Sequence, residues 1–269
     1  MIDTVRRNEA RWGRVSGKGE ALVRTGLRVG LGVAAAGLVS ALSVLPGLDG
    51  AGPSGAAPGH SVDAPNWTST NWAGYAVDTT TYTSVTGTWK VPSVTSTKPS
   101  AYSQAFVGID GYSNSFGIEV GTSMSWTGGA AHYGAWWRIL PAAPNILNLT
   151  IAPGNTVTAS IARSAAGHWV VSLTDGTQVF TKATNYSGLD SSAEWIIGPP
   201  IVNGVVAPLA HFTRTYFTKL LANGSNPKLV STEGGGILSG STVLAVPSMP
   251  SSAGNAFDVQ YGDTVPPAP

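Results

Sequence analysis

The sequence contains no cysteine, which excludes a disulfide scaffold, a thiol nucleophile and a thiolate metal site. Charged residues are also scarce, because Asp, Glu, Lys and Arg together make up 11% of the chain. Beyond residue 28 no cluster of lysine or arginine appears, so no nucleic-acid partner is expected. Without disulfides the fold must depend on its hydrophobic core, and roughly 200 residues are enough for one such domain.

Basic residues are concentrated at the N-terminus. The first 28 residues contain seven Lys or Arg against three Asp or Glu, whereas the rest of the chain contains eight against eleven. An uncharged, apolar run follows at 29–48, and small residues follow that run. This order predicts that residues 1–48 are a basic leader with an apolar export signal, and that 49–65 are a flexible linker. We expect a secreted, extracellular protein; the alternative is a membrane anchor at 29–48, since about 20 apolar residues span a bilayer.

Residues 66–265 contain short β-rich runs that are separated by Gly, Pro, Asn and Ser. No long helical periodicity interrupts them, so the pattern predicts one all-β domain, an antiparallel sandwich or barrel. The predicted strands include 71–77, 85–91, 105–109, 135–140, 148–151, 156–161, 168–173, 178–182, 194–197 and 209–216. Three glycines stand at 234–236. Neither a lysine nor a helix start follows them, so they are not expected to form a phosphate loop. We predict a flexible loop instead.

Only three glutamates follow the basic leader, and two of them lie inside apolar, strand-like runs. Glu119 lies between Ile118 and Val120, and Glu194 precedes Trp195. In a strand, successive side chains point to opposite faces, so each glutamate faces away from its apolar neighbours. A carboxylate in such a place is costly to desolvate unless it is paired or used. The two glutamates are therefore the candidates for acid–base chemistry.

Tryptophan is abundant, and eight of the nine residues follow residue 60. Core filling is the ordinary explanation, and a groove lined with aromatic side chains for an extended peptide or glycan is the alternative. Trp136 and Trp137 are adjacent, so in a strand they face opposite ways. At most one of them is therefore pure sandwich core.

Five segments together resemble the glutamic peptidase (eqolisin) family in their order and spacing. They are NWAGY at 71–75, FVGIDG at 106–111, IEVGT at 118–122, AWWRILP at 135–141 and SAEWI at 192–196. The resemblance implies a concanavalin-like β-sandwich of two bent antiparallel sheets. It also implies endopeptidase activity on polypeptide substrates at acid pH, with no metal and no cofactor, and we expect a monomer.

The resemblance also implies roles for individual residues. In that family a strand glutamate and a strand glutamine hold a water molecule between them. The glutamate takes a proton from the water and later gives it to the leaving amine, while the glutamine amide stabilises the oxyanion. Glu194 matches the glutamate, but the glutamine's position holds Glu119. The position after Trp136-Trp137 is usually acidic in the family, and here it is Arg138.

These departures leave two interpretations. A protonated Glu119 donates one hydrogen bond and replaces part of the amide's role, so that two carboxyl groups share a proton and activity survives only in acid. Alternatively, Arg138 holds Glu119 ionised in a charge-assisted pair, and the ionised carboxylate repels the oxyanion. The second interpretation predicts a catalytically impaired domain that binds peptide or cell-wall glycan.

The catalytic candidates are thus Glu194 and Glu119, and the substrate-binding candidates are Trp72, Asp110, Trp137 and Arg138. Asp110 either orders the site or only forms a turn between glycines; the resemblance favours a role in the site. A glycoside hydrolase with two carboxylates roughly 5 to 9 Å apart is a further alternative on a similar sandwich, although the matching segments point elsewhere. The histidines lack metal-site spacing, and no Gly-x-Ser-x-Gly elbow accompanies them.

Overall fold

The computed structural model describes residues 66–269. The predicted leader at 1–48 and linker at 49–65 therefore lie outside the described residues. Residues 66–269 form short strands and one 3-10 turn. In chain order they are β1 (Trp67–Ser69), β2 (Ala73–Val77), β3 (Ser84–Lys90), β4 (Val94–Thr95), β5 (Ser100–Ile109), β6 (Ile118–Thr127), β7 (Ala130–Ile139), β8 (Asn145–Leu147), β9 (Thr156–Ala165), β10 (His168–Asp175), β11 (Gln178–Asn185), β12 (Ala193–Gly198), β13 (Ile201–Val202), β14 (Val205–Val206), β15 (His211–Phe212), β16 (Thr215–Ala222), the turn Ser231–Glu233, β17 (Gly234–Ser239), β18 (Thr242–Pro247) and β19 (Phe257–Tyr261).

Most of these strands belong to one continuous hydrogen-bonded sheet. Its order is β11-β10-β9-β3-β16-β19-β18-β17-β2-β12-β5-β6-β7-β8, and β1 pairs with β17. The β1–β17 pairing is parallel and the other pairings along the sheet are antiparallel. Two short pairs, β13–β14 and β4–β15, stand apart from it. Within residues 66–269, no helix has the length and apolar character needed to cross a membrane.

The continuous sheet folds over on itself, so that two layers enclose the main core. One layer contains β2, β12, β5, β6 and β7, and the other contains β3, β9, β10 and β16. Two fully buried tryptophans connect the layers by hydrogen bonds. Trp89 Nε1 donates to Thr122 Oγ1 at 3.0 Å, and Trp195 Nε1 donates to the Thr86 carbonyl at 2.7 Å. Burying one such ring stabilises the fold by up to about 5 kcal/mol. The predicted all-β sandwich is confirmed.

The three glycines at 234–236 are not a loop, and the prediction made for them is wrong. They begin strand β17, which pairs with both β1 and β2. A Cβ atom on Gly235 would lie 1.8 Å from the Trp67 ring, so the indole lies directly on the glycine backbone. Trp67 Nε1 also donates to the Glu233 carbonyl at 2.9 Å. Here glycine makes room for a neighbouring aromatic ring rather than for backbone motion.

The layer containing β2, β12, β5, β6 and β7 is also apolar on the face turned away from the main core. This outer aromatic cluster comprises Trp67, Trp72, Ala76, Phe106, Trp136 and Ile196, with Tyr112 packed against it. The ring centroids of Trp72 and Phe106 are 5.9 Å apart, and those of Phe106 and Trp136 are 5.7 Å apart. The candidate site lies on the same face as this cluster.

Candidate active site

Both candidate glutamates lie on one cross-strand row of that face. Glu194 on β12 pairs with Gly108 on β5, Gly108 pairs with Glu119 on β6, and Glu119 pairs with Arg138 on β7. Ala76 on β2 completes the row on the other side of Glu194. Paired positions share a face of a sheet, so the structure brings the two glutamates and Arg138 together. Both glutamates are fully buried.

Gly108 leaves a gap between the two carboxyl side chains. A Cβ atom built on Gly108 would lie 2.9 Å from Glu194 Oε2 and 3.6 Å from Glu119 Cγ. These two atoms are therefore no farther apart than the sum of those distances, so the two side chains are neighbours across Gly108. Arg138 does not fill this gap, because it lies beyond Glu119 on the next strand. The row thus leaves no other side chain between the two carboxyl groups.

Arg138 holds Glu119 in a short ion pair. Its Nε lies 2.6 Å from Glu119 Oε2, and the two side chains are 13% and 1% exposed. The guanidinium also lies 5.4 Å from the centre of the Trp136 ring, a cation–π contact that fixes its position. The other oxygen of Glu119, Oε1, is buried and has no hydrogen-bond partner within the part of the chain that the structure describes. Glu119 thus has one oxygen bound to Arg138 and one oxygen that no described residue binds.

Glu194 has no such cation. Neither of its carboxyl oxygens forms a hydrogen bond of good geometry with residues 66–269. Burial raises the pKa of Glu194 well above its ordinary value, and the charges of Asp110 and Glu119 raise it further. The Ser192 hydroxyl and the Tyr112 backbone N–H act in the opposite direction, but burial outweighs them. Glu194 is thus a neutral acid over a pH range in which an exposed glutamate is ionised.

This raised pKa predicts a stability change for Glu194→Gln. The folded state keeps the proton of Glu194 to higher pH than the unfolded chain does, so the stability linked to this group is present in acid and is lost as the pH rises through the folded-state pKa. Glutamine resembles the neutral acid and does not ionise. We therefore expect the variant to melt at least about 3 °C above wild type at pH 7, the shift that roughly 1 kcal/mol causes in a domain of this size.

Calorimetry or circular dichroism at pH 3 and pH 7 checks this expectation. The difference between Glu194→Gln and wild type should shrink toward zero at pH 3, where both side chains are neutral. Asp263→Asn, which replaces an exposed carboxyl group, is the control and should show no such pH-dependent gain. A variant that is less stable than wild type at pH 7 would contradict the assigned cause.

Asp110 is fully buried and is saturated with hydrogen bonds. Its Oδ2 accepts from the Tyr186 hydroxyl at 2.6 Å and from the Asp190 N–H at 2.8 Å. Its Oδ1 accepts from the N–H and the hydroxyl of Ser191 and from the amide of Asn114, at 2.9 to 3.1 Å. Burial alone would raise the pKa of Asp110, but these hydrogen bonds outweigh it and hold the pKa below its ordinary value.

Asp110 therefore orders the segment beside the site, because both of its carboxyl oxygens are bound within the protein; its substrate-binding role stays a prediction. None of its surface is exposed. Its own N–H donates to the Ser192 carbonyl at 3.1 Å, two residues before Glu194. By fixing the segment that leads into β12, Asp110 sets the position of the glutamate. This is the ordering role that sequence analysis weighed against a simple turn.

An open cleft adjoins Glu119, which lines it together with Trp72 and Arg138, whereas Glu194 lies behind this lining. Its other walls include Asn71, Gln104, Phe106, Leu140 and residues 199–201. Gln104, Phe106 and the glycine at 108 alternate along β5, which places all three on the site's face. Sequence analysis singled out neither Gln104 nor Phe106, although this period of two was a usable signal.

Trp137 lies outside the lining of the cleft, so the geometry gives no support to its predicted substrate-binding role. Its cross-strand partner on β6 is Val120, which is part of the main core, and Trp137 packs against that core. Trp136 is the tryptophan on the site's face, where it belongs to the outer aromatic cluster. Because side chains alternate along a strand, Arg138 shares a face with Trp136 and not with Trp137.

Fold and site together define a β-sandwich protein with a buried pair of carboxyl groups on the outer face of one layer. The family model of the Peptidase A4 family matches residues 70–264, and the chain belongs to that family. Aspergillopepsin-2 from Aspergillus niger is 30% identical over 156 residues, which are 48% of this chain and 55% of that protein. The chain thus spans about half the length of this curated relative.

Solved structures show the same fold. Scytalido-glutamic peptidase with a transition-state analogue inhibitor aligns with a TM-score of 0.61 and 21% identity, over 71% of this chain and 98% of that chain. SCP-B, a member of the eqolisin family in complex with the tripeptide Ala-Ile-His, aligns with a TM-score of 0.57 and 21% identity, over 71% and 98%. The resemblance to glutamic peptidases that the sequence predicted is confirmed.

Proposed function

We propose that this chain is a secreted, acid-acting endopeptidase of the glutamic type, which hydrolyses peptide bonds through a water molecule held between Glu194 and Glu119. The observation that carries the proposal is the cross-strand row, in which two fully buried carboxyl side chains flank a glycine that has no side chain. A buried carboxyl pair beside an open cleft is costly to keep unless it is used. Membership of the Peptidase A4 family supports the same reaction.

Acid dependence follows from the carboxyl pair. Two carboxyl groups this close share a proton, as aspartic proteases do, and their titrations belong to the pair. The pair works while one group is neutral and the other is ionised. The raised pKa of Glu194 keeps that group neutral, so activity should fall as the pH rises far enough to ionise both. The upper pH limit should therefore lie above the one that an ordinary glutamate would set.

A polypeptide substrate fits the shape and composition of the cleft. Trp72 and Phe106 offer aromatic surface, and residues 199–201 and Leu140 add apolar walls. Gln104 and Asn71 supply amide groups that are able to bind a peptide backbone. The two eqolisin structures named above hold an inhibitor and a tripeptide, which supports an extended peptide as the ligand here.

The test is cleavage of an unfolded protein. The full chain is expressed, and the enzyme is purified from whichever fraction contains it, the medium or the membrane. We expect casein to be cut at pH 3 to 4 and to be left intact at pH 8, by gel electrophoresis and mass spectrometry of the fragments. Recovery of a shortened chain from the medium would support export, whereas full-length protein in the membrane fraction would support the anchor at 29–48. Peptide binding without cleavage at any pH would support the catalytically impaired binding domain instead.

A further inference from the structure

We propose that Arg138 is a positioning residue that exchanges the roles of the two glutamates relative to the family pattern: Glu119 takes the proton from water, and Glu194 protonates the carbonyl oxygen. The inference rests on the proposed function, because it assigns parts to the same two side chains. It also explains why a basic residue and a second glutamate occur together in this chain.

The first step is the charge on Glu119. The Nε atom of Arg138 is 2.6 Å from Glu119 Oε2, and both side chains are largely shielded from water. Protonating Glu119 would leave the Arg138 charge without its partner in this shielded place, which is costly. The contact with the Trp136 ring keeps the guanidinium from swinging away. The ion pair therefore fixes the negative charge of the site on Glu119.

The second step is the proton on Glu194. The neighbours of Glu194 across β2 and β5 are Ala76 and Gly108, which carry no charge. The charged or titratable groups that face the carboxyl pair from the elements around it are Arg138, Asp110, Tyr112 and Tyr186. Only Arg138 is a cation, and it contacts Glu119. A single proton shared by the pair therefore resides on Glu194.

The third step is the free acceptor on Glu119. An ionised carboxylate accepts hydrogen bonds but donates none, so Glu119 is unable to replace the donor side of a glutamine amide. Its buried Oε1, which has no partner among residues 66–269, is suited to accept a proton from water. The neutral Glu194 carboxyl group supplies the donor that the carbonyl oxygen needs. Glu119 thus supplies the proton acceptor for the water, and Glu194 supplies the proton donor for the carbonyl oxygen.

The resulting steps balance. As the water oxygen bonds to the carbonyl carbon, one water proton passes to Glu119 and the Glu194 proton passes to the carbonyl oxygen, giving a neutral tetrahedral diol. When the C–N bond breaks, the leaving nitrogen takes the proton from Glu119, and one diol hydroxyl returns its proton to Glu194. The products are an acid and an amine, and the protein regains its starting state.

The pH profile of kcat/KM for Arg138→Met against wild type tests this exchange. Without the cation the negative charge of the site is no longer held on Glu119, so kcat/KM at the acid end of the profile should fall by roughly tenfold or more. Arg138→Lys, which keeps the charge, is the matched control and should lose less kcat/KM in acid. Thermal melting of each variant shows that the comparison concerns folded protein.

The family arrangement predicts the opposite change in the acid activity of Arg138→Met. If Glu194 were the base and a protonated Glu119 the donor, then removing Arg138 would favour that protonation and raise activity in acid. An unchanged or faster Arg138→Met enzyme at pH 3 would therefore overturn the inference. If wild type cleaves nothing at any pH, the proposed function itself fails, and the proton placement is then decided by spectroscopy.

Carbon-13 NMR of the glutamate carboxyl groups gives that second measurement. The chain has five glutamates, at positions 9, 20, 119, 194 and 233, so the spectrum is sparse, and Glu119→Gln and Glu194→Gln assign the two signals. At pH 5 the Glu119 signal should be that of a carboxylate and the Glu194 signal that of an acid. The reverse result would overturn the exchange even if Arg138→Met does not fold.

Discussion

Glu194→Gln is expected to lower kcat/KM for peptide hydrolysis by about a thousandfold or more, with little change in KM. Glutamine has nearly the same shape as the neutral acid but has no proton to give and regain. General acid–base catalysis contributes about 10² to 10⁴ in rate, and we also propose that the lost group protonates the carbonyl oxygen. Because the side chain is fully buried, it makes few contacts with substrate beyond the reacting atoms. The measurement is kcat and KM on a fluorogenic peptide at pH 4.

The matched control is Glu233→Gln, the same change at the one other glutamate among residues 66–269. Glu233 accepts a hydrogen bond from the Val230 N–H at 2.8 Å, which a glutamine oxygen also accepts, and it does not line the cleft. The activity of this variant should stay within about twofold of wild type, in keeping with a substitution that keeps its hydrogen bond and lies outside the site. A Glu194→Gln variant that keeps a tenth or more of wild-type activity would show that the reaction does not pass through this carboxyl group.

The strand positions of Glu119 and Glu194 could be predicted from the sequence, because a lone carboxylate stands out in an apolar strand. Side-chain alternation then fixed which way each one points, and the structure puts both on the face opposite the main core. By the same alternation, the residue two positions before Arg138 shares its face, and that residue is Trp136. Choosing Trp137 together with Arg138 was inconsistent with a period of two.

Other features depend on partners that are distant in sequence. Residues 148–151 were predicted to be a strand, but the short strand is Asn145–Leu147. The backbone of Thr150 is instead paired with a side chain, since its N–H and carbonyl bond the amide of Gln178 at 2.9 and 3.0 Å. The residues near Thr150 give no pattern that predicts these hydrogen bonds. For the same reason, the glycines of β17 gave no sign that a tryptophan lies on them.

Gly108→Ala is expected to reduce kcat/KM by about a hundredfold while leaving the domain folded. The added Cβ would lie 2.9 Å from Glu194 Oε2 and 3.6 Å from Glu119 Cγ, in the space assigned to the reacting water. The Glu194 carboxyl group would have to move, and misplacing a reacting group by about 1 Å costs on that order in rate. Gly108 does not have a positive φ, so alanine adopts its backbone without strain, and the loss would come from the methyl group alone.

Gly134→Ala is the matched control, because Gly134 is also a strand glycine without a positive φ. Its Cβ would meet only the Ser123 hydroxyl, at 3.3 Å. Parallel measurements of kcat/KM and melting temperature should show similar stability for the two variants and a loss of activity for Gly108→Ala alone. If Gly108→Ala hydrolyses peptide within about threefold of Gly134→Ala, then the attacking water does not lie between the two glutamates. The cross-strand row would then be only a packing arrangement, and the catalytic proposal would lose its geometric basis.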